Sequence, residues 1–197
     1  DNTAVGLGSS YSNTTGLENT AVGNISLYYN TTGSSNAALG SYSLFYNNTG
    51  SNNTSVGNYS LFNNDNNYNN AFGMYSLYHN VSGANNSAIG YLSMYNNLIG
   101  FNNTAVGNNS LLNNNGNYNT ALGYNAGSTI TTGYNLTCLG IDAAPTSPTA
   151  VDQVTLGNIF VTSLRCNVQT ITSLSDARDK KNVSELSLGL DFITKLH

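Results

Sequence analysis

Glycine returns along this chain with a nearly fixed stride. Gly6, Gly23, Gly40, Gly57, Gly73, Gly90, Gly107, Gly123, Gly140 and Gly157 are separated by 17, 17, 17, 16, 17, 17, 16, 17 and 17 residues. Directly ahead of each lies an aliphatic or aromatic residue (Val5, Val22, Leu39, Val56, Phe72, Ile89, Val106, Leu122, Leu139, Leu156), and ahead of that a small one, most often Ala. Four residues after the glycine comes a second apolar row, Leu27, Leu44, Leu61, Leu77, Met94 and Leu111, followed by Tyr28, Phe45, Phe62, Tyr78, Tyr95 and Leu112. A second turn is marked by Gly16, Gly33, Gly50, Asn67, Gly83, Gly100, Gly116 and Gly133. Repetition this regular means one structural unit copied along an axis.

A unit of 17 residues is too short for helix-pair repeats, which need about 33, and falls slightly below the leucine-rich range. Two short strands and two Gly/Asn turns fit it: "TAVG" and "SLYY" are β-permissive, and the "NTTG" segments supply residues that tolerate positive φ. The expected fold is therefore all-β, a β-solenoid or β-roll over 1–141. Coils stacked about 4.8 Å apart make a rod on the order of 43 Å long. The row Asn2, Asn19, Asn36, Asn53, Asn69, Asn86, Asn103 and Asn119 is expected to form ladders, each side-chain amide bonding to those above and below.

Side chains alternate faces along a strand, so Ala21 and Val22 point in opposite directions, as do Leu27 and Tyr28. One thin coil hides only one of each pair. The other apolar row needs a second buried surface, which identical rods side by side supply, and a parallel homotrimer is the expected assembly.

Composition removes several function classes. Only 7% of the residues are charged, against about a quarter in ordinary domains, and asparagine is the most frequent residue. With 39% hydrophobic residues and a net charge of −4, the chain does not have the signature of a disordered tail either. Arg165 is the first basic residue. A protein without Lys or Arg over that distance lacks the basic footprint that nucleic acid requires. No apolar run approaches the roughly 20 residues of a membrane-spanning helix, and no signal segment opens the chain. It starts in mid-phrase, as a fragment would.

After Gly140 the pattern changes. Residues 142–153, which hold both prolines, read as a connector; 154–174 resume alternation at Val161, Leu164, Val168, Ile171 and Leu174 without the Gly/Asn turns, as expected of a narrow β-stalk. In the remaining residues, 175–197, Leu186, Leu190, Ile193 and Leu196 fall at helical spacing behind Ser187, predicting a short C-terminal α-helix.

The phrase "NTAVG..SL..NTTG..N" resembles the repeats of trimeric β-roll heads of bacterial surface adhesins and, more closely, of repetitive fibre proteins of phages and large viruses. That resemblance covers about residues 1–141 and implies a rod-like homotrimer that works extracellularly or on a virion or cell surface. "VTSLRCNVQTITSLSDARDKKNV" is similar to the junction before the self-cleaving intramolecular chaperone of phage tail fibres and tail spikes. The resemblance implies that Ser175 and Lys180 act as a dyad, with Asp176 and Arg178 completing the matched motif, and that 175–197 begin such a chaperone domain. A Lys with lowered pKa takes the proton from a serine hydroxyl, which attacks a nearby peptide carbonyl. From the residues alone, a Ser-Asp turn cap followed by a solvated charged face is the simpler reading.

Other chemistry is sparse. Cys138 occupies the Ala slot and Cys166 an alternating β position, so both read as small buried residues. His79 and His197 have no ligand partners at metal-binding spacing, and Glu18 and Asp65 are isolated, so no metal site, cofactor or carboxylate pair is expected. Among the many Asn-X-Ser/Thr sequons, Asn13, Asn30, Asn47 and Asn80 share one repeat position just before the turn glycine and are candidate glycan attachment sites. Two function classes remain: a structural fibre or filament, able to join end to end, and a binding module such as an adhesin recognising cell-surface glycans, or an ice binder. The Thr row is broken by Asn70 and Ser87 and no irregular loop interrupts the repeat, which favours the fibre.

Overall fold

Thr-Ala-Val and its variants carry β-favourable residues at the two outer positions and a small residue at the middle one, a pattern that suits a strand packed against a narrow interior. The computed structural model describes residues 1–165. It contains ten strands: β1 (Thr3–Val5), β2 (Thr20–Val22), β3 (Ala37–Leu39), β4 (Thr54–Val56), β5 (Asn70–Phe72), β6 (Ser87–Ile89), β7 (Thr104–Val106), β8 (Thr120–Leu122), β9 (Tyr134–Leu139) and β10 (Val151–Leu156). They form a single parallel sheet in sequence order. Each strand pairs with its counterpart one coil on, so that Ala21 lies opposite Ala38 and Val22 opposite Leu39. Residues 1–161 form one compact unit, a β-solenoid.

The interior is thin. The middle residue of each strand from β2 to β8 (Ala21, Ala38, Ser55, Ala71, Ala88, Ala105, Ala121) points inward and is fully buried. Facing that row are Leu27, Leu44, Leu61, Leu77, Met94 and Leu111, also fully buried. Each large aliphatic contributes about 1.5–3 kcal/mol by leaving water, and Ala opposite it leaves just enough room. Cys138 takes the Ala slot in β9 and is buried as a free thiol, which burial pushes to higher pKa.

One expectation is corrected. Each coil carries one strand, not two: the Ser-Leu-Tyr-Tyr segment is a wide arc of turns. Ile25 and Leu27 adopt φ of 57° and 51°, and the pattern recurs at Tyr42 with Leu44, Tyr59 with Leu61 and Tyr75 with Leu77. Left-handed residues two apart bend the chain around the Leu side chain, which a straight strand could not do. The arc keeps strand-like bonding to its neighbours all the same, since the Ile25 N–H donates to Leu7 O at 2.8 Å and the Leu27 N–H to Ser43 O at 2.9 Å.

The two 16-residue spacings are absorbed at the second turn. In a full-length coil the Thr31 carbonyl accepts the N–H groups of Thr14, Thr15 and Gly16 from the coil before. In the first shortened coil the turn lacks one residue, and the Asp65 carboxylate replaces the carbonyl: Oδ1 accepts from the N–H of Thr49 at 2.6 Å, from its hydroxyl at 3.1 Å and from the Gly50 N–H at 3.2 Å. In the second, Asn115 Oδ1 accepts from the Leu98 N–H at 2.7 Å. A side-chain oxygen thus stands where a backbone oxygen is missing, and β4 to β5 and β7 to β8 remain in register.

At the far end, β10 pairs with β9 through Val154↔Thr137 and Leu156↔Leu139. This last rung crosses the boundary between the expected connector and stalk. The rest of the expected stalk beyond Arg165 and the C-terminal helix lie outside the described residues.

Close approach of successive coils makes the strand-end glycine indispensable. At Gly40, where φ is +136°, an added Cβ would sit 2.6 Å from Gly57 O and 2.7 Å from Gly57 C, both backbone atoms. We expect Gly40→Ala to lower unfolding free energy by about 2–4 kcal/mol in a urea titration, from combined φ strain and overpacking. A change under about 0.5 kcal/mol, the range of ordinary surface substitutions, would show that the coils separate readily at this row.

Candidate functional site

Asparagine builds two ladders inside the coil. In the first, the Oδ1 of Asn2, Asn19, Asn36 and Asn53 accepts the backbone N–H of the next Asn in the row at 2.7, 3.0, 3.0 and 2.9 Å. The amide nitrogens of the row turn the other way, to the second-turn carbonyls: Asn19 to Gly33 and Asn36 to Gly50, both at 2.8 Å. Side-chain to side-chain bonds along this row occur as well, as from Asn53 Nδ2 to Asn36 Oδ1 at 3.1 Å. The expected ladder is therefore present, with the backbone as its main partner.

The second ladder holds the residues expected to carry glycans. Asn30, Asn47, Asn64, Asn80, Asn97 and Asn114 are fully buried. Each donates from Nδ2 to the Oδ1 of the residue one coil back: Asn30 to Asn13 at 2.9 Å, Asn47 to Asn30 at 3.0 Å and Asn80 to Asn64 at 2.7 Å. The same nitrogen also reaches the turn carbonyl that follows, as in Asn47 to Gly50 O at 2.8 Å. Glycosylation needs that nitrogen free and in water. At Asn30, Asn47 and Asn80 the folded coil offers neither, while Asn13, part-buried in the first coil, donates to Gly16 O at 2.9 Å. At this position Asn has a structural role in every coil, whether or not Thr or Ser follows it. The signal that distinguishes the two readings was present: Asn recurs here in coils with no sequon, at Asn64, Asn97 and Asn114.

One exposed apolar surface lies on the sheet and another on the arc. Val22, Leu39, Phe72, Ile89 and Leu122 project from the outer face of the sheet, from 37% exposed at Val22 to 53% at Leu122. Beside them on the same face run Thr20, Ala37, Thr54, Asn70, Ser87, Thr104 and Thr120, the other outward residues of each strand. Strand alternation forces this result: with Ala inside, both of its neighbours face out.

The second surface is an aromatic wall on the arc. Tyr11, Tyr28, Phe45, Phe62, Tyr78 and Tyr95 form one stack over six coils, with successive centroids 5.1, 5.6, 5.0, 5.0 and 5.3 Å apart. Tyr42, Tyr59 and Tyr75 stack alongside at 4.9 and 5.4 Å. Tyr29 and Tyr46 form a third stack at 5.3 Å. His79 sits edge-on to Tyr78 and Tyr95. Burial, and then the neighbouring tyrosines, raise the Tyr78 pKa above the usual phenol value. The wall keeps ring faces against ring faces and turns ring edges outward.

Among the described residues no group of three His, Cys, Asp or Glu is placed to hold a metal ion, and no helix is long and apolar enough to cross a membrane. Ser175, Lys180 and Cys166 lie outside the described residues. Compared with models of known families, with curated proteins and with solved structures, the chain matches none.

The buried ladder makes a sharp prediction. Asn47→Leu removes the donor to Asn30 Oδ1 and Gly50 O and the acceptor of Asn64 Nδ2, leaving buried groups unsatisfied at about 1–3 kcal/mol each. Thermal unfolding should therefore show a severe loss of stability, while an Asn-to-Leu change at exposed Asn48 should be nearly neutral. Equal effects at the two positions would remove the ladder from the list of forces that hold the coil.

Proposed function

We propose that this chain is a structural rod, a segment of an extracellular, virion or cell-surface fibre whose solenoids associate side by side as a parallel homotrimer. The observation that carries the reading is the apolar row on the outer face of the sheet, half-exposed at coil after coil. Isolated exposed apolar residues are ordinary, but a continuous row along a regular surface is the mark of an interaction site. A second copy is the occupant that matches this row rung for rung, because it presents apolar residues at the same interval. Charged side chains are few before Arg165, only Asp1, Glu18, Asp65, Asp142 and Asp152, so charge repulsion between neighbouring rods is small. The number three and the location follow the resemblance to trimeric fibre repeats. In the same reading 175–197 begin a trimerising chaperone, released by one-time cleavage at Ser175 with Lys180 as base, and the chain is otherwise not an enzyme.

The binding-module alternative is less well supported. A glycan stacks on exposed ring faces, and within the three stacks of the wall those faces are turned to neighbouring rings. An ice-ordering face needs an unbroken Thr array, and the outer row carries Ala37, Asn70 and Ser87.

The inner and outer apolar rows give a test that separates folding from assembly. Leu61 is fully buried, so Leu61→Asp places an unpaired carboxylate in the dry interior and should unfold the chain. Val56 lies on the outer face and is part-exposed in the single chain. Val56→Asp should leave circular dichroism unchanged and convert trimers to monomers in sedimentation. Trimers that survive Val56→Asp, or a wild-type chain that sediments as a monomer, would overturn the side-by-side reading. Mass spectrometry of the product with its C-terminal domain restored should find cleavage beside Ser175, abolished in Ser175→Ala and Lys180→Met. Equal cleavage in all three would remove the dyad.

A further inference from the structure

The aromatic wall places phenol rings from successive coils in contact. Tyr29 and Tyr46 lie at the same repeat position one coil apart, with centroids 5.3 Å apart and planes within 2° of parallel. Both are open to solvent, at 43% and 48% exposure. They are held from behind by edge contacts: Tyr28 and Phe45 sit at 4.8 and 5.0 Å from Tyr29, and Phe45 and Phe62 at 4.6 and 5.3 Å from Tyr46. The backbone beneath is fixed too, the Tyr29 N–H donating to Phe45 O at 3.1 Å and the Tyr46 N–H to Phe62 O at 2.9 Å. Backbone and edge contacts together hold the two rings side by side.

We propose that Tyr29 and Tyr46 form an oxidative cross-linking site, at which a peroxide-driven one-electron oxidant joins them as dityrosine and so ties one coil covalently to the next. Each phenol gives up one electron and its hydroxyl proton to become a phenoxyl radical. The two radicals join through an ortho carbon of each ring. The hydrogen on each of those carbons then returns to oxygen, restoring two phenols. The protein loses two hydrogens in all, and one hydrogen peroxide takes up the two electrons and two protons to become two waters. Parallel stacking favours this outcome over coupling between chains, because a radical formed on either ring already has its partner within reach, whereas a second chain must diffuse in.

The wall also sets limits on where coupling occurs. In the Tyr28 row two consecutive coils carry Phe45 and Phe62, which have no phenol to oxidise, so that stack offers only its ends. Tyr42 and Tyr59 stack at 4.9 Å and 2° but are less open than Tyr29 and Tyr46, which makes them the second site to react. The proposal uses the arc and not the outer sheet face, so it stands independently of how the rods associate.

The experiment treats the intact chain with hydrogen peroxide and a haem peroxidase at several protein dilutions. Dityrosine fluorescence is read, and peptides are mapped after thermolysin, since trypsin has no site before Arg165. The expected result is a peptide pair spanning positions 29 and 46, lighter by two hydrogens, with a yield independent of dilution. Tyr29→Phe and Tyr46→Phe should each abolish that pair while leaving circular dichroism unchanged, because Phe already occupies neighbouring stack positions at Phe45 and Phe62. Oxidation in urea, where the stack is lost, should reduce the yield by at least about tenfold. Absence of the pair, a yield that falls with dilution, persistence in Tyr29→Phe, or an undiminished yield in urea would each overturn the proposal.

Discussion

Coil-to-coil hydrogen bonding in strict register is the interaction on which everything else in this solenoid depends. The Gly23 N–H reaches Val5 O, and the Gly40 N–H reaches Val22 O, at the same 2.8 Å. Because the bonds run along the axis, a residue's neighbours in space are its own counterparts in the coils before and after. A property written once in the repeat is thus written as a row in the structure. Rows of Asn become amide ladders, rows of Leu become the interior, and rows of Tyr become stacks. Where the turns are buried, the side-chain amides complete the polar contacts that backbone groups there would otherwise lack.

The period and the first Asn row were legible in the sequence because each is a repeated choice of residue type, whereas alternation did not say that the Ala side is the one that turns inward. Val22 and Ala21 could be assigned to opposite faces from alternation alone, and the structure agrees. The arc was not legible. Ser-Leu-Tyr-Tyr has β-permissive composition, and nothing in it announces that Ile25, Tyr42 and Leu44 adopt left-handed backbone, a conformation bulky residues rarely take. Tertiary context overrides local preference there: the inward Leu and the stacked rings outside it hold the bend from both sides. The burial of Asn30, Asn47 and Asn80 was not legible either, because the sequon there draws attention to the surface.

The inner and outer surfaces divide two tasks. Ala and Leu rows, with the amide ladders, hold the coils together; the outer Val, Leu, Phe and Ile row is left exposed among the described residues. The aromatic wall belongs to neither. Its ring-on-ring contacts cover backbone that has taken an uncommon conformation, and the exposed edges leave phenols accessible to chemistry while their faces stay occupied.

The substitution of Asp65 Oδ1 for a missing carbonyl bears on how such a chain can lengthen and vary. Tandem repeats grow by misaligned copying, and a copy that falls one residue short would ordinarily throw every later row out of phase. Here the error stays local, because a side-chain oxygen can stand in for the lost peptide oxygen and the next strand resumes in line. The number 17 is then not what heredity must preserve. What it must preserve is an acceptor at one corner of each coil, and either a backbone or a short polar side chain meets that demand.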